Sequence, residues 1–193
     1  MNSRLIIRRL PADDESVQLS EWVTAEELTT ADSFAPQRRR EYLTWRAVVR
    51  QELGRDVSIS YARNGAPTVG CGLHIGVSHS RNLVAVCIGE QPCAVDTEPL
   101  GRNFENVRQR YMSGYESALS DDPRLSAAVW CAKETLYKLG GHEGCDFLRD
   151  IRITSVDFDK DAICGTIYGG NEIRLAISYM DDNIVVSGEC NNF

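Results

Sequence analysis

Gln91-Pro92-Cys93-Ala94-Val95-Asp96-Thr97-Glu98 divides the chain and opens its second half. Gln91-Pro92 is a polar turn between two apolar runs, 83–88 and 93–95, and both runs read as short strands. The spacing therefore predicts two units, 1–91 and 92–193. Within the second run Asp96 and Glu98 are two residues apart, so a strand sends both carboxylates to one face.

Outward from this turn, the two sides read alike. On the N-terminal side, residues 3–10 alternate as a strand, and Thr24-Ala25-Glu26-Glu27-Leu28 carries a capping signal for a short helix. Pro36 opens a long helix in which Tyr42, Trp45, Val49 and Leu53 recur at helical spacing, and Gly54 stops it. Strands at 57–61 and 73–77 flank the turn Asn64-Gly65-Ala66-Pro67 and lead into the strand at 83–88. On the C-terminal side, residues 103–139 read as mostly helical, with breaks at Ser113-Gly114 and Asp121-Asp122-Pro123 and a stop at Gly140-Gly141. Four strands follow in hairpin order at 151–156, 163–168, 173–179 and 184–188. The order is strand, helices, strands, twice over. The expected class is α+β, each half being one long helix on a small antiparallel sheet.

A chain of 193 residues buries a core without disulfides or a structural metal. Its formal charge of −7 gives no basic field for nucleic acid. No apolar run reaches membrane-spanning length and no leader pattern opens the sequence, so no membrane partner is expected and the expected location is the cytoplasm. Seven cysteines without a C-x-x-C pair fit reduced, mostly buried thiols. Cys71-x-x-His74 and His142-x-x-Cys145 allow a zinc site, against the favoured reading of two core cysteines and two loop histidines.

Trp130-Cys131-Ala132-Lys133-Glu134-Thr135-Leu136-Tyr137-Lys138 reads as helix, so Glu134 and Lys138 share a face. Packed beside the strand of Asp96 and Glu98, this helix brings three carboxylates toward one hard cation of the magnesium kind. Lysine occurs three times in the chain, and two of the three stand in this helix. In Gly76-Val77-Ser78-His79-Ser80, a strand sends Ser78 and His79 to opposite faces, which excludes a nucleophile–base pair between them. At the strand's end both can instead donate to a phosphate, against the alternative of an ordinary strand-end turn. Arg38-Arg39-Arg40, Arg46 and Arg50 make the first long helix basic on its non-apolar side, either a solvated face or a phosphate contact.

Taken in order, Val77-Ser78-His79-Ser80, Ala94-Val95-Asp96-Thr97-Glu98 and Trp130-x-x-Lys133-Glu134-x-x-x-Lys138 resemble the three signatures of the 4′-phosphopantetheinyl transferases. The similarity is to the longer, surfactin-type class rather than the short trimeric holo-carrier synthases, and it spans residues 34–158. It implies a pseudodimer of two α+β halves with the active site at their junction, and a monomer. It also implies the reaction: coenzyme A gives its 4′-phosphopantetheine arm to a serine of an apo acyl, peptidyl or polyketide carrier protein, and 3′,5′-ADP leaves. Asp96, Glu98 and Glu134 are then ligands of Mg2+, or of Mn2+, Glu134 is the general base, and Lys138 pairs with the pyrophosphate. Ser78, His79, Arg39 and Arg40 hold the nucleotide phosphates, and Ala66 meets the coenzyme through its backbone. The carrier docks on arginines among Arg102, Arg108 and Arg110.

The chain departs from the family where Gly65-Ala66-Pro67 replaces the frequent Gly-Lys-Pro, where Asp32 and Ser33 replace basic residues, and where Ile75-Gly76 precede Val77. Weaker coenzyme binding with the chemistry intact is the expectation. The alternatives are a non-catalytic homologue that binds coenzyme A or a carrier, a metal-dependent phosphohydrolase, and a zinc-stapled interaction module.

Overall fold

A computed structural model describes residues 3–11, 15–140 and 142–190. Strand β1 (Arg4–Arg9) and a 3₁₀ segment (Glu15–Trp22) precede helix α1 (Ala25–Ala31). The Thr24 hydroxyl accepts from the Glu27 N–H and the Glu27 carboxylate accepts from the Thr24 N–H, so the capping signal is a closed capping box. Helix α2 (Pro36–Leu53) starts at its proline and ends at Gly54, whose φ of 105° suits glycine. Strands β2 (Ile59–Tyr61) and β3 (Pro67–Val69) form a hairpin, followed by β4 (His74–His79), β5 (Leu83–Gly89) and β6 (Cys93–Pro99). Helices α3 (Gly114–Ser117) and α4 (Leu125–Gly140) and strands β7 (Ile151–Asp157), β8 (Ala162–Ile167), β9 (Ile173–Met180) and β10 (Asn183–Glu189) complete the chain. Gly141 lies outside the described residues.

The fold is α+β, with antiparallel sheets ordered β1-β5-β4 and β6-β10-β9-β8-β7 beside the β2-β3 hairpin. In both larger sheets the strand before the long helix pairs with the last strand after it: β1 with β5, and β6 with β10. The segment 103–124 is less helical than its sequence suggests. It holds one 3₁₀ turn (Arg108–Arg110) and the single turn of α3, because its apolar residues are too sparse to sustain a helical stripe.

Alternation on β5 explains how the sheets meet. Val84, Val86 and Ile88 pack against Trp45, Val48 and Val49 of α2, while Ala85 and Cys87 pack with Cys93, Val95 and Val185 of the second sheet. All of β5 is buried, as expected of a continuous apolar run with both faces covered. On β10, Ile184 and Val186 join the α4 core, and their register partners are Glu98 and Asp96. That register puts both acids of β6 on the face toward α4.

The edges of the two sheets approach at Gly76. A Cβ there would meet Cys87 Sγ at 2.7 Å, Ala94 Cα at 2.8 Å and the Cys93 carbonyl at 2.9 Å. Two residues on, on the same faces, Ser78 meets Asp96. Two of the three obstacles to a side chain are backbone, so Gly76→Ala is expected to destabilise the protein by about 1–3 kcal/mol, read as a lower urea midpoint with m unchanged.

Arg46 and Arg50 are interior residues, not a phosphate-facing surface: they are 2% and 4% exposed. Arg50 donates to both Glu27 oxygens at 2.7 and 2.9 Å, and Arg46 pairs with Glu27 at 3.2 Å while stacking on Tyr42. They fasten α1 to α2. Burial raises the Glu27 pKa, but the Arg50 hydrogen bonds, the Thr24 N–H and both guanidinium charges outweigh it, so the net shift is downward. A depressed carboxylate stabilises the fold above its unfolded pKa, and that contribution is lost as pH falls through the folded value. Stability is therefore expected to fall on acidification below about pH 4.5, and Glu27→Gln to flatten that limb in a pH series of melting temperatures.

Candidate functional site

Asp96 is the centre of a polar junction where three segments meet. Its Oδ1 accepts from Ser78 Oγ of β4 at 3.0 Å and from Lys138 Nζ of α4 at 2.8 Å. Lys138 also donates to the Val95 carbonyl at 2.9 Å, and Ser78 Oγ accepts the Thr97 N–H at 3.2 Å. Ser78 is buried and its hydroxyl is engaged on both sides. His79, on the opposite face, turns to α2: Arg38 Nη1 lies 2.9 Å from Nε2 and Glu41 Oε2 lies 3.2 Å from Nδ1. Burial lowers the His79 pKa, with Arg38 and Lys138 acting in the same direction against Glu41 and Asp96.

Glu98 accepts from the Trp130 indole at 3.1 Å and is paired with Arg102, whose guanidinium lies 5.0 Å from the Trp130 ring. Burial raises the Glu98 pKa against the opposing charge of Arg102. Glu134, half-buried on α4, has its pKa raised by burial first, then by the charge of Asp96, with Glu98 adding to it and Lys138 opposing. The three acids thus share one electrostatic neighbourhood, which an added cation would relieve.

Among the described residues, no group of three or more His, Cys, Asp and Glu side chains is arranged as a metal-binding cluster. For the acids the contacts give a reason: Lys138 and Ser78 hold Asp96 Oδ1, and Arg102 and Trp130 hold Glu98. Two features still suit a hard cation. Asp96 Oδ2 is buried without a hydrogen-bond partner, and the Cys131 thiol that presses on Asp96 is a weak donor whose own pKa is pushed up mainly by burial. The Glu134 carboxylate makes no hydrogen bond or ion pair among the described residues, and the candidate ligands are all carboxylate oxygens. The zinc spacing gathers no such group, and Cys71 is exposed rather than part of the core.

A cleft of about 720 Å3 opens beside this junction. It is lined by Ala66 of the hairpin turn, Pro67 of β3, Gly76 of β4, Ala94 of β6, and Tyr137 and Lys138 of α4. Ala66 donates its N–H to Asn64 Oδ1 at 3.1 Å, and its carbonyl accepts from Ala62. Arg39 pairs with Asp32 at 3.3 Å and Arg40 donates to Gln37 at 2.8 Å, so Arg38 is the arginine of the triplet that meets His79. Arg108 pairs with Glu105. Glu41 and Cys131 enter the junction without a sequence signal, since their partners there, His79 and Asp96, are distant in the chain; Arg102, expected only as a carrier contact, pairs with Glu98 four residues before it, and the Trp130 indole has a signal only as part of its motif. Compared with known proteins, the chain matches no protein-family model and no curated sequence.

Proposed function

We propose that this protein is a 4′-phosphopantetheinyl transferase of the surfactin type, moving the arm of coenzyme A to a serine of an apo acyl, peptidyl or polyketide carrier protein. The observation that carries the reading is the meeting of Ser78 and Lys138 on Asp96 Oδ1, at 3.0 and 2.8 Å, because each of the three comes from a different motif. The halves 1–91 and 92–193 then act as a pseudodimer, working as a monomer, with the site at their junction. The cleft receives the pantetheine arm, its backbone contact coming from Ala66. His79 with Arg38 binds the nucleotide's 3′-phosphate, and Lys138 turns from Asp96 to the diphosphate. Ser78 orients Asp96 rather than gripping phosphate, since its hydroxyl is already engaged. Asp96, Glu98 and Glu134 would hold Mg2+ or Mn2+, which when bound neutralises the diphosphate charge. Glu134, with its pKa raised by burial, takes the proton of the carrier serine as its oxygen forms a bond to the β-phosphorus. The bond to the leaving 3′,5′-ADP breaks in that displacement.

The test is incubation of the purified protein with magnesium, coenzyme A and apo carriers of the fatty-acid, polyketide and peptide types. The expected result is a carrier mass gain of one phosphopantetheine. Coenzyme binding without any gain would instead indicate a non-catalytic homologue. Release of phosphate or nucleotide in the absence of carrier would indicate a phosphohydrolase.

A further inference from the structure

Asp96 and Glu98 are each held by one oxygen. On Asp96, Ser78 and Lys138 both donate to Oδ1, and the buried Oδ2 has no partner. On Glu98, the Trp130 indole and the Arg102 guanidinium both donate to Oε1, and among the described residues no hydrogen bond reaches Oε2. The Arg102–Glu98 pair is built by a turn, not by a helix face. After β6 the Leu100 N–H donates to the Asp182 carbonyl at 2.8 Å and the Arg102 N–H to the Pro99 carbonyl at 3.1 Å, which folds Arg102 back onto Glu98. There its guanidinium lies 5.0 Å from the Trp130 ring and 5.3 Å from the Phe104 ring. Arg102 also lines a second cavity, of about 320 Å3, together with Leu100, Phe104, Glu105 and Ser126. Lys138 and Arg102 thus set two positive charges against the three carboxylates of the junction, one negative charge remaining in excess.

We propose that Arg102 is a latch on the cation site: it occupies Glu98, and a divalent cation of the magnesium or manganese class gains that acid only as Arg102 withdraws into the cavity beside it. The inference rests on the cation site proposed above and adds a competitor to it. Arg102 acts in two opposite ways. It orients Glu98, which favours a cation, and it places a positive charge at the ligand, which opposes one. The charge effect is the larger. Orientation survives without Arg102, because the Trp130 indole still holds Oε1. Repulsion between a guanidinium and a dication sharing one carboxylate has no such substitute, least of all where that carboxylate is only 19% exposed. With the latch closed the junction offers a dication one excess negative charge, and with it open two. The Arg102 side chain is 38% exposed, so it leaves without unpacking a core, and the cavity receives it beside the Glu105 carboxylate.

The experiment is equilibrium binding of Mn2+ alone, without coenzyme A or carrier, read from the electron paramagnetic resonance signal of the free ion at fixed ionic strength. Arg102→Met is expected to bind Mn2+ roughly tenfold tighter than the unaltered protein. Arg124→Met removes a charge from the same cavity wall, where Asp122 holds Arg124 at 2.7 Å, and is expected to change the affinity by less than about twofold. Unchanged or weaker binding by Arg102→Met, or an equal gain in both variants, would overturn the latch. The transferase reading stands in that case if the unaltered protein binds Mn2+ and modifies carrier. No Mn2+ binding by any of the three proteins would overturn the latch and the cation site together. Should Arg102→Met fold poorly, Arg102→Gln carries the same expectation and is judged by the same outcomes.

Discussion

Asp96→Asn is expected to lower carrier modification by roughly 10²–10³-fold or more while the protein keeps its melting temperature within a few degrees. Asparagine has nearly the same shape and its amide oxygen still accepts from Ser78 and Lys138, so the junction stays assembled. What disappears is the negative charge and the buried Oδ2 that no other group uses. If Asp96 were a structural partner of Lys138 alone, the loss would be small, because that lysine is 31% exposed and solvated when released. Rate and melting temperature therefore separate the two roles. A variant that modifies carrier at near-normal rate would remove Asp96 from the chemistry and with it the cation site.

Much of this junction follows from strand parity, which a sequence reveals. Asp96 and Glu98 share a face because they are two apart, and Ser78 and His79 diverge because they are adjacent. The capping box at Thr24 and the span of α2 are equally local, each fixed by residues within a few positions. What escapes the sequence is long-range pairing. Arg46 and Arg50 look like a basic surface until Glu27, 23 residues before Arg50, is seen to take both guanidinium groups indoors. In the sequence Gly76 stands only as a departure from the family pattern, yet its missing side chain sets how closely the two sheets approach. Likewise Glu98 reads as a free ligand, and its capture by Arg102 and Trp130 is visible only in three dimensions.

Lys133 is a position of the α4 motif to which its surroundings give a structural task. It is fully enclosed, and its ammonium has three partners: the Phe147 carbonyl at 2.7 Å, the Ile151 carbonyl at 2.8 Å and Glu116 Oε1 at 2.7 Å. Glu116 is equally buried and also accepts from the N–H groups of Ser113 and Ile153, each at 2.8 Å. The pair ties α3, α4, the 147–151 segment and β7 together. Lys133→Met fills the same channel with an apolar chain but leaves the Glu116 carboxylate without a counter-charge and two carbonyls without a donor. Breaking one side of a buried pair costs about 3–5 kcal/mol, which in a chain of this size lowers the melting temperature by roughly 10 °C. Adding Glu116→Gln should recover part of the loss, since no charge is stranded; the recovery is incomplete because the Ser113 and Ile153 N–H groups donate to different carboxylate oxygens and the amide keeps one of the two. Lys133→Arg should not rescue, because a planar guanidinium does not fit a site built around three bonds to one nitrogen. Because Glu134 follows Lys133 directly on α4, any shift here reaches the acid next to it, so loss of stability and loss of transfer should appear together. A Lys133→Met protein as stable as the parent would mean that the pair is dispensable.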